Sequence, residues 1–474
     1  MPRKFLWVIV PILSILLLLS SISFSSGKEI QKRYFTLHQA INRAMSFNRS
    51  IQNELDSLIS TQLSVTTSRS EFYFKLNPAI STNFSTDSEN NRGGGYGGGL
   101  TITKKLPFGT SFSLYPYIKR SSDDFNSGID LLISQPLLKG LSKNYNLSGV
   151  YQSKFSLRTA RRQLYLLRVN VVLSTISAVY NITRRHEVLE LQQSSYKRLM
   201  GYVETAKVKQ KKGFATALDV YRATIQLKQA ETLLTSSRSQ YLDAKDYLKI
   251  ILTIPLENEI EVKAPLAYKF TKIDETQSIS TALQKRVELE QVHDMISEYE
   301  RKVSYSRHSL LPKMDLEFRY RSSAIDSHLL DSIKRNTGRV EMSVYSSGDI
   351  SRVYEKAEYT RSKMALKNAY RVLSLEKDEI KREVKNAIRN LNRLEKNILI
   401  QKKQIHDAKG KMELSRIKFS HGMANNFDLI ESEAQYREAE THYISSIIDY
   451  IEGKYQLKAA MGILLDEFGF KRHH

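Results

Sequence analysis

Two carboxylates, Asp428 and Glu431, stand three residues apart. On a helix that spacing places both on one face, and gathered carboxylates favour cations and bind divalent ions. A plainer reading competes at each position. Asp428 follows Asn425 by three residues, which suits the acidic half of an N-terminal helix cap. Glu431 suits a solvated helix face. Asp219 follows Thr216 in the same way, but Arg222 holds the place that matches Glu431, so only the later stretch carries the acidic pair. Other constellations fail on their neighbours. His186-Glu187 is followed by Val-Leu-Glu, which is not the two-histidine zinc motif. His38, His186, His293, His308 and the remaining histidines are scattered and read as surface or packing residues. Gly93 to Gly99 lacks the lysine and helix of a phosphate-binding loop and reads as a flexible loop. There is no cysteine, so disulfides, thiolate metal sites and a cysteine-linked lipid anchor are excluded. No catalytic constellation emerges, and the chain is read as no enzyme, with no cofactor or metal.

The carboxylates are positioned by a turn that occurs twice. Upstream of Gly422, Ile380, Val384, Ala387, Leu391, Leu394, Ile398, Ile405, Ala408, Met412 and Phe419 follow a 4,3 spacing, and a second helical pattern runs from Asn426 to about Ile463. Gly422 suits the left-handed residue that ends a helix, and Asn425 suits the cap that starts the next. Gly213-Phe-Ala-Thr-Ala-Leu-Asp219 repeats Gly422 to Asp428 at an offset of 209. Between residues 213–256 and 422–465, 15 of 44 ungapped pairs are identical, where chance gives roughly 3. The offset continues upstream at Ala160/Ala369, Leu164/Leu373 and Ala178/Ala387. The chain is therefore an internal duplication.

The 474 residues begin with Arg3 and Lys4, an apolar run from Phe5 to Leu19, and a serine-rich stretch ending at Gly27. That is the layout of a secretory signal, expected over residues 1–27 and cleaved near Ser25 to Gly27. An N-terminal anchor is the competing reading, because Ala-x-Ala is absent. No later apolar run approaches the ~20 residues of a spanning helix, so a mature membrane protein would have to be a β-barrel. The net charge of +22 raises nucleic-acid binding, but the Lys and Arg are spread along helices and the export signal opposes it. Lys207, Lys209, Lys211 and Lys212 end a helix, where cations complement the dipole.

The first repeat, residues 28–265, reads as a helix over 36–75, strands over about 78–136, and a helical hairpin over about 141–252. Ile80/Thr82/Phe84, Leu100/Ile102, Phe112/Leu114 and Ile129/Leu131/Ile133 mark the strands; Pro107-Phe108-Gly109 and Ser121 to Gly128 mark turns. Residues 253–275 read as a linker. The second repeat, 266–474, reads as a helix over 277–309, strands over about 313–346, and a hairpin over about 349–463. Met314, Leu316, Phe318 and Tyr320 share one face, opposite Lys313, Asp315, Glu317, Arg319 and Arg321. Val340, Met342 and Val344 oppose Arg339, Glu341 and Ser343 in the same manner. About ten residues, apolar on one face and charged on the other, is the pattern of a membrane barrel strand with a wet lumen. A soluble strand seldom carries so many charges on one face. Each long helix would span ~105 Å, more than a globular core needs.

An export signal, a doubled helix–β-hairpin–long helix–helix unit, and the turn Gly-x-x-x-x-x-Asp in each half resemble the TolC family of outer-membrane efflux channels. Leu132-Ile-Ser-Gln-Pro-Leu-Leu-Lys-Gly140 and Ala282-Leu-Gln-Lys-Arg-Val-Glu-Leu289 resemble that family too. The resemblance covers the mature chain. It implies a mainly α fold with a β-barrel portion, a trimeric α/β barrel channel placed in the outer membrane and periplasm of a Gram-negative-type bacterium. Its implied partners are two further copies in a homotrimer, outer-membrane lipid, a periplasmic adaptor and an inner-membrane pump, and no nucleic acid. By resemblance, Gly213, Thr216, Asp219, Gly422, Asn425 and Asp428 form the adaptor-docking tips, and Asp428 and Glu431 line the periplasmic constriction. The chain departs from the pattern at Asn425, where Thr or Ser is usual, and at Ser346-Ser-Gly-Asp349, which lacks the usual proline. The first β region has length for four strands rather than two, leaving open a larger barrel or a hairpin outside the membrane. A secreted coiled-coil protein and a periplasmic adaptor are the alternatives.

Overall fold

The computed structural model describes residues 33–86, 92–121, 124–335, 337–421, 423–424 and 426–470. The expected signal, Gly422 and Asn425 lie outside the described residues. In chain order, β1 (Arg33–Thr36) leads into α1 (Leu37–Phe47) and α2 (Arg49–Ser70). Four strands follow: β2 (Lys75–Thr86), β3 (Arg92–Lys105), β4 (Ser111–Ser121) and β5 (Asp124–Pro136). A short α3 (Lys143–Asn146) precedes the long α4 (Ser148–Lys211), and a turn joins α4 to α5 (Ala217–Ile251). Next come β6 (Ile260–Lys263), α6 (Glu275–Lys285) and α7 (Val287–Ser309). Then β7 (Lys313–Asp326), the short α8 (Leu329–Lys334) and β8 (Thr337–Ser347) precede the long α9 (Val353–Ser420), α10 (Asn426–Ala460) and a short α11 (Leu464–Glu467). Helices α5 and α10 are both 35 residues long and begin at Ala217 and Asn426, the offset of the duplication.

Local chemistry corrects several expected boundaries. The helix expected over 36–75 breaks at Asn48, whose extended backbone lets its side chain accept the N–H groups of Ser50 (3.0 Å) and Ile51 (3.4 Å) and start α2 afresh. The helix expected over 277–309 breaks at Arg286, which is likewise extended (φ −69°, ψ 124°). Residues 253–275 are not wholly linker, because β6 pairs in parallel with β1. Four-residue strands carry too few alternations for a periodic signal. Contrary to the expectation that no later segment is apolar enough to span a membrane, α4 contains one such stretch by length and composition, and half of it is buried. Val172 and Ile176 there are 0% and 1% exposed, so its apolar residues serve helix packing.

Contacts divide the chain into two compact units. The first holds the residues up to Ser46, Thr175–Leu266 and Asp407–Ile444. Its core brings Leu199, Val203 and Ala206 of α4 against Ala223 and Ala230 of α5 and Ile430 of α10. Small alanines on the facing stripe let the helices approach closely.

The second unit holds Phe47–Ser174, Ala267–His406 and Ser445–His474. Val292 and Ile296 of α7 pack on Ala369 of α9, and Arg286 binds Glu288 (2.7 Å), Glu383 (2.9 Å) and the Ala460 carbonyl (3.2 Å). Its sheet has six antiparallel strands in the order β2-β3-β4-β5-β7-β8. The hairpin around Pro107 to Gly109 therefore belongs to the same sheet. Gly109 needs its positive φ of 92°, and a Cβ there would meet the Gly140 carbonyl at 2.4 Å. At the passage out of β5, Leu137 and Lys139 donate to the carbonyls of Met314 (2.7 Å) and Pro312 (3.2 Å), and Gly140 donates to His308 Nε2 (3.1 Å). The passage after β8 lacks that proline and is built by Asp349, which accepts from the Ser351 N–H (2.9 Å) and hydroxyl (2.6 Å).

Candidate functional site

In the first unit the two inter-helix turns are built alike. Lys209 and Lys418 end their helices with equivalent carbonyls, accepting from Phe214 N–H at 2.8 Å and Met423 N–H at 2.9 Å. Gly213 takes the positive φ of 80° that this closure requires. Thr216 and Asp219 form a reciprocal cap: Asp219 N–H donates to Thr216 Oγ1 (3.2 Å) and Thr216 N–H to Asp219 Oδ2 (2.9 Å). The Thr216 backbone N–H, followed by its hydroxyl, holds the Asp219 carboxyl below the usual carboxylate range.

The turns also touch each other. Asn426 donates to the Asp219 carbonyl (3.1 Å). Lys209 donates to the Phe419 carbonyl (2.7 Å) and sits 3.9 Å from the centre of the Phe419 ring. The basic cluster ends its own helix as expected, with Lys209 and Lys211 in the last turn of α4, and Lys209 in addition caps the end of α9. Around the turns, Phe214 (80%), Met423 (69%) and Phe427 (54%) are exposed. Apolar side chains held in water at one place mark an interaction surface.

Asp428 is exposed in the first turn of α10. Glu431, half-buried, lies 3.8 Å from Lys411 Nζ and accepts from Gln435 (2.9 Å), while Lys411 also donates to Gln435 (2.8 Å). Glu431 is thus no bare surface carboxylate. Beyond it stands a pair that the sequence reading missed. Glu433 is 1% exposed, and Arg198 binds its Oε1 through Nε (2.6 Å) and Nη2 (2.5 Å). Glu433 Oε2 has no hydrogen-bond partner. Arg437, whose pKa burial lowers, adds a second cation, and it donates to Ser195 at 3.5 Å. The available signal was stripe position: Asn426, Leu429, Ile430 and Glu433 follow the helical spacing of a buried face.

The sheet of the second unit has two chemically opposite faces. Leu76, Ile102, Leu114, Leu131, Tyr320 and Val340 lie side by side in one row across all six strands. Phe112, Ile133, Phe318 and Met342 form the neighbouring row of that face. One residue along, Asp130 stands beside Arg321 and Arg339 on the other face, with Arg321 Nη2 at 3.2 Å from Asp130. Near the β7–α8 turn, Asp326, His328 and Asp331 bring ligand atoms within 4.8 Å of one another. Asp326 already accepts from Arg335 (3.1 Å) and the His328 N–H (3.1 Å), so its oxygens are in use.

No family model matches the sequence, and no curated protein matches it. Solved structures do. The outer membrane protein VceC from Vibrio cholerae aligns at 13% identity over 90% of this chain and 96% of its own, with a TM-score of 0.68. The Campylobacter jejuni CmeC outer membrane channel aligns at 13% identity over 92% and 87%, with a TM-score of 0.68. The open state of the Neisseria gonorrhoeae MtrE outer membrane channel aligns at 15% identity over 90% and 88%, with a TM-score of 0.66. The chain has the fold of the TolC-type outer-membrane channels, mainly helical with a β-sheet portion, over essentially its whole described length.

Proposed function

We propose that this chain is the outer-membrane channel of a tripartite efflux or type I secretion system, a passive exit duct rather than an enzyme. One observation carries the reading: a six-stranded sheet with an apolar row running across all six strands on one face and paired charges on the opposite face. In water such a face would drive aggregation; in a bilayer it is the lipid-facing side of a barrel wall. The fold shared with outer membrane channels supports the same placement. The working form is a homotrimer of two-repeat protomers, 28–265 and 266–474 after signal removal, with the helical hairpins in the periplasm. The turns at Gly213, Thr216 and Asp219 and at Gly422, Asn425 and Asp428 dock a periplasmic adaptor, which joins an inner-membrane pump. The exposed Phe214, Met423 and Phe427 fit that contact. A secreted coiled-coil protein would have no use for a sheet with apolar rows along one face and paired charges on the other.

Asp428 and Glu431 are the proposed constriction. Threefold symmetry gathers six carboxylates, and such rings favour cations. The test is bilayer recording on the purified outer-membrane trimer. Asp428→Ala with Glu431→Ala should raise conductance or weaken cation selectivity and divalent block. A double variant that conducts, selects and blocks like the parent assigns the pair to the cap and the surface.

A further inference from the structure

The sheet's two edges are β2 and β8, and β2 from Lys75 to Phe84, together with β8 from Thr337 to Ser346, is exposed. Unpaired edges of this length cannot stand in hydrocarbon, where each free N–H and C=O costs several kcal/mol. We infer that β8 of one copy pairs with β2 of the next, and that all six strands of each copy lie in one membrane wall. With the trimer proposed above, on which this rests, the barrel has 18 strands.

Four features of the molecule support it. β2 runs away from the α2 end of the sheet, and β8 returns toward α9. Joined edge to edge they are antiparallel, as every other pair in the sheet is. Their lengths match, at 12 and 11 residues. The faces continue across the seam: Leu76 and Ile80 of β2 stand on the same face as Val340, Met342 and Val344 of β8. The β3–β4 hairpin cannot be a decoration. Its strands, 14 and 11 residues long, reach or exceed the ~9–11 residues that cross a bilayer. They sit between β2 and β5, and they present Ile102, Phe112 and Leu114 in the apolar rows and Thr101, Ser113 and Tyr115 on the polar face. Removing them would separate β2 from β5 and break the row.

Barrel diameter grows with strand number. At ~4.8 Å between strands and ~40° tilt, 18 strands enclose a wall about 36 Å across, against about 24 Å for 12. The inferred barrel is thus wide enough to leave an aqueous channel, lined by the polar face that includes Asp130, Arg321 and Arg339.

The test uses the full chain in membranes. The sequence has no cysteine and one tryptophan, Trp7, replaced by Trp7→Phe in the probe variants. Ser343→Cys is combined in turn with Asn77→Cys, Ala79→Cys, Ser81→Cys or Asn83→Cys, all polar-face positions. Oxidation of at least one pair should yield covalent dimers and trimers, with none from the single variants. Leu114→Trp and Ile102→Trp should be quenched at least twofold more by brominated phosphatidylcholine than Ser113→Trp. Membrane trimers with no cross-link in any pair would overturn the β8–β2 seam. Cross-linked trimers in which positions 102 and 114 quench like 113 would leave the hairpin outside the wall and give 12 strands; the channel reading would survive both. Absence of any membrane oligomer would instead refute the channel reading, and the barrel with it.

Discussion

Replacing Arg198 by methionine keeps much of the side-chain volume and removes the cation that faces Glu433. The carboxylate is 1% exposed and takes both of Arg198's bonds on one oxygen, at 2.5 and 2.6 Å. Removing one partner of a fully buried pair costs about 3–5 kcal/mol, here because the carboxylate loses its hydrogen-bonded cation and keeps only the through-space field of Arg437. The Arg198 side chain is 34% exposed, so water already screens the pair, and the expected loss falls to about 2–3 kcal/mol. Glu433→Gln keeps the shape, removes the buried charge and leaves Arg198 to water, which costs about 1 kcal/mol. Native-state hydrogen exchange reads this locally, without requiring the whole assembly to unfold in one step. At about 1.4 kcal/mol per tenfold, Arg198→Met should speed exchange in peptides 192–206 and 426–440 by roughly 30- to 150-fold, and Glu433→Gln by about fivefold. The double variant holds no uncompensated charge and should return close to the Glu433→Gln value. Exchange in Arg198→Met within threefold of the parent, or a worse effect from Glu433→Gln, would refute the reasoning that the buried carboxylate depends on this cation.

A Cβ at Gly213 would meet no atom within 4 Å, but Gly213→Val must hold a φ of 80°, a strain of ~1–2 kcal/mol; trimers should still assemble while adaptor cross-linking and export fall, and unchanged export would remove the tip from docking. Thr216→Ala should cost about 1 kcal/mol and speed exchange over 217–220. Because Asp219 is held below its ordinary range, the carboxylate half of the cap is complete above about pH 4 and is lost as pH falls through the lowered value, so the difference between parent and variant should shrink in strong acid to what the Asp219 N–H bond to the Thr216 hydroxyl contributes; a difference that does not change with pH would place the effect elsewhere. Arg286→Met leaves Glu288 and Glu383 facing each other without the 13%-exposed guanidinium between them. It should cost about 3 kcal/mol and lower the detergent melting temperature, and an unchanged melting temperature would make the pair dispensable.

Sequence alone determined what depends on neighbours within a turn or two of chain. Gly213 and Thr216-to-Asp219 write a helix stop and a helix start within seven residues, because positive φ and capping bonds are local. Met314 to Tyr320 declares two faces, because side chains alternate along any strand. The duplication told which stretches are equivalent. What the tertiary structure alone decided are pairings between distant residues. β1 meets β6 across more than 200 residues, and neither strand is long enough to show a period. The β3–β4 hairpin joins the sheet because its rows align with β2 and β5, a matter of register between strands. Glu433 looked like one more helical carboxylate until α4 brought Arg198 to it, 235 residues away in sequence. Lys209 likewise bonds the end of α9 as well as ending its own helix. A hydrogen bond or ion pair acts over about 3 Å of space, and no spacing along the chain encodes which distant residue will arrive there.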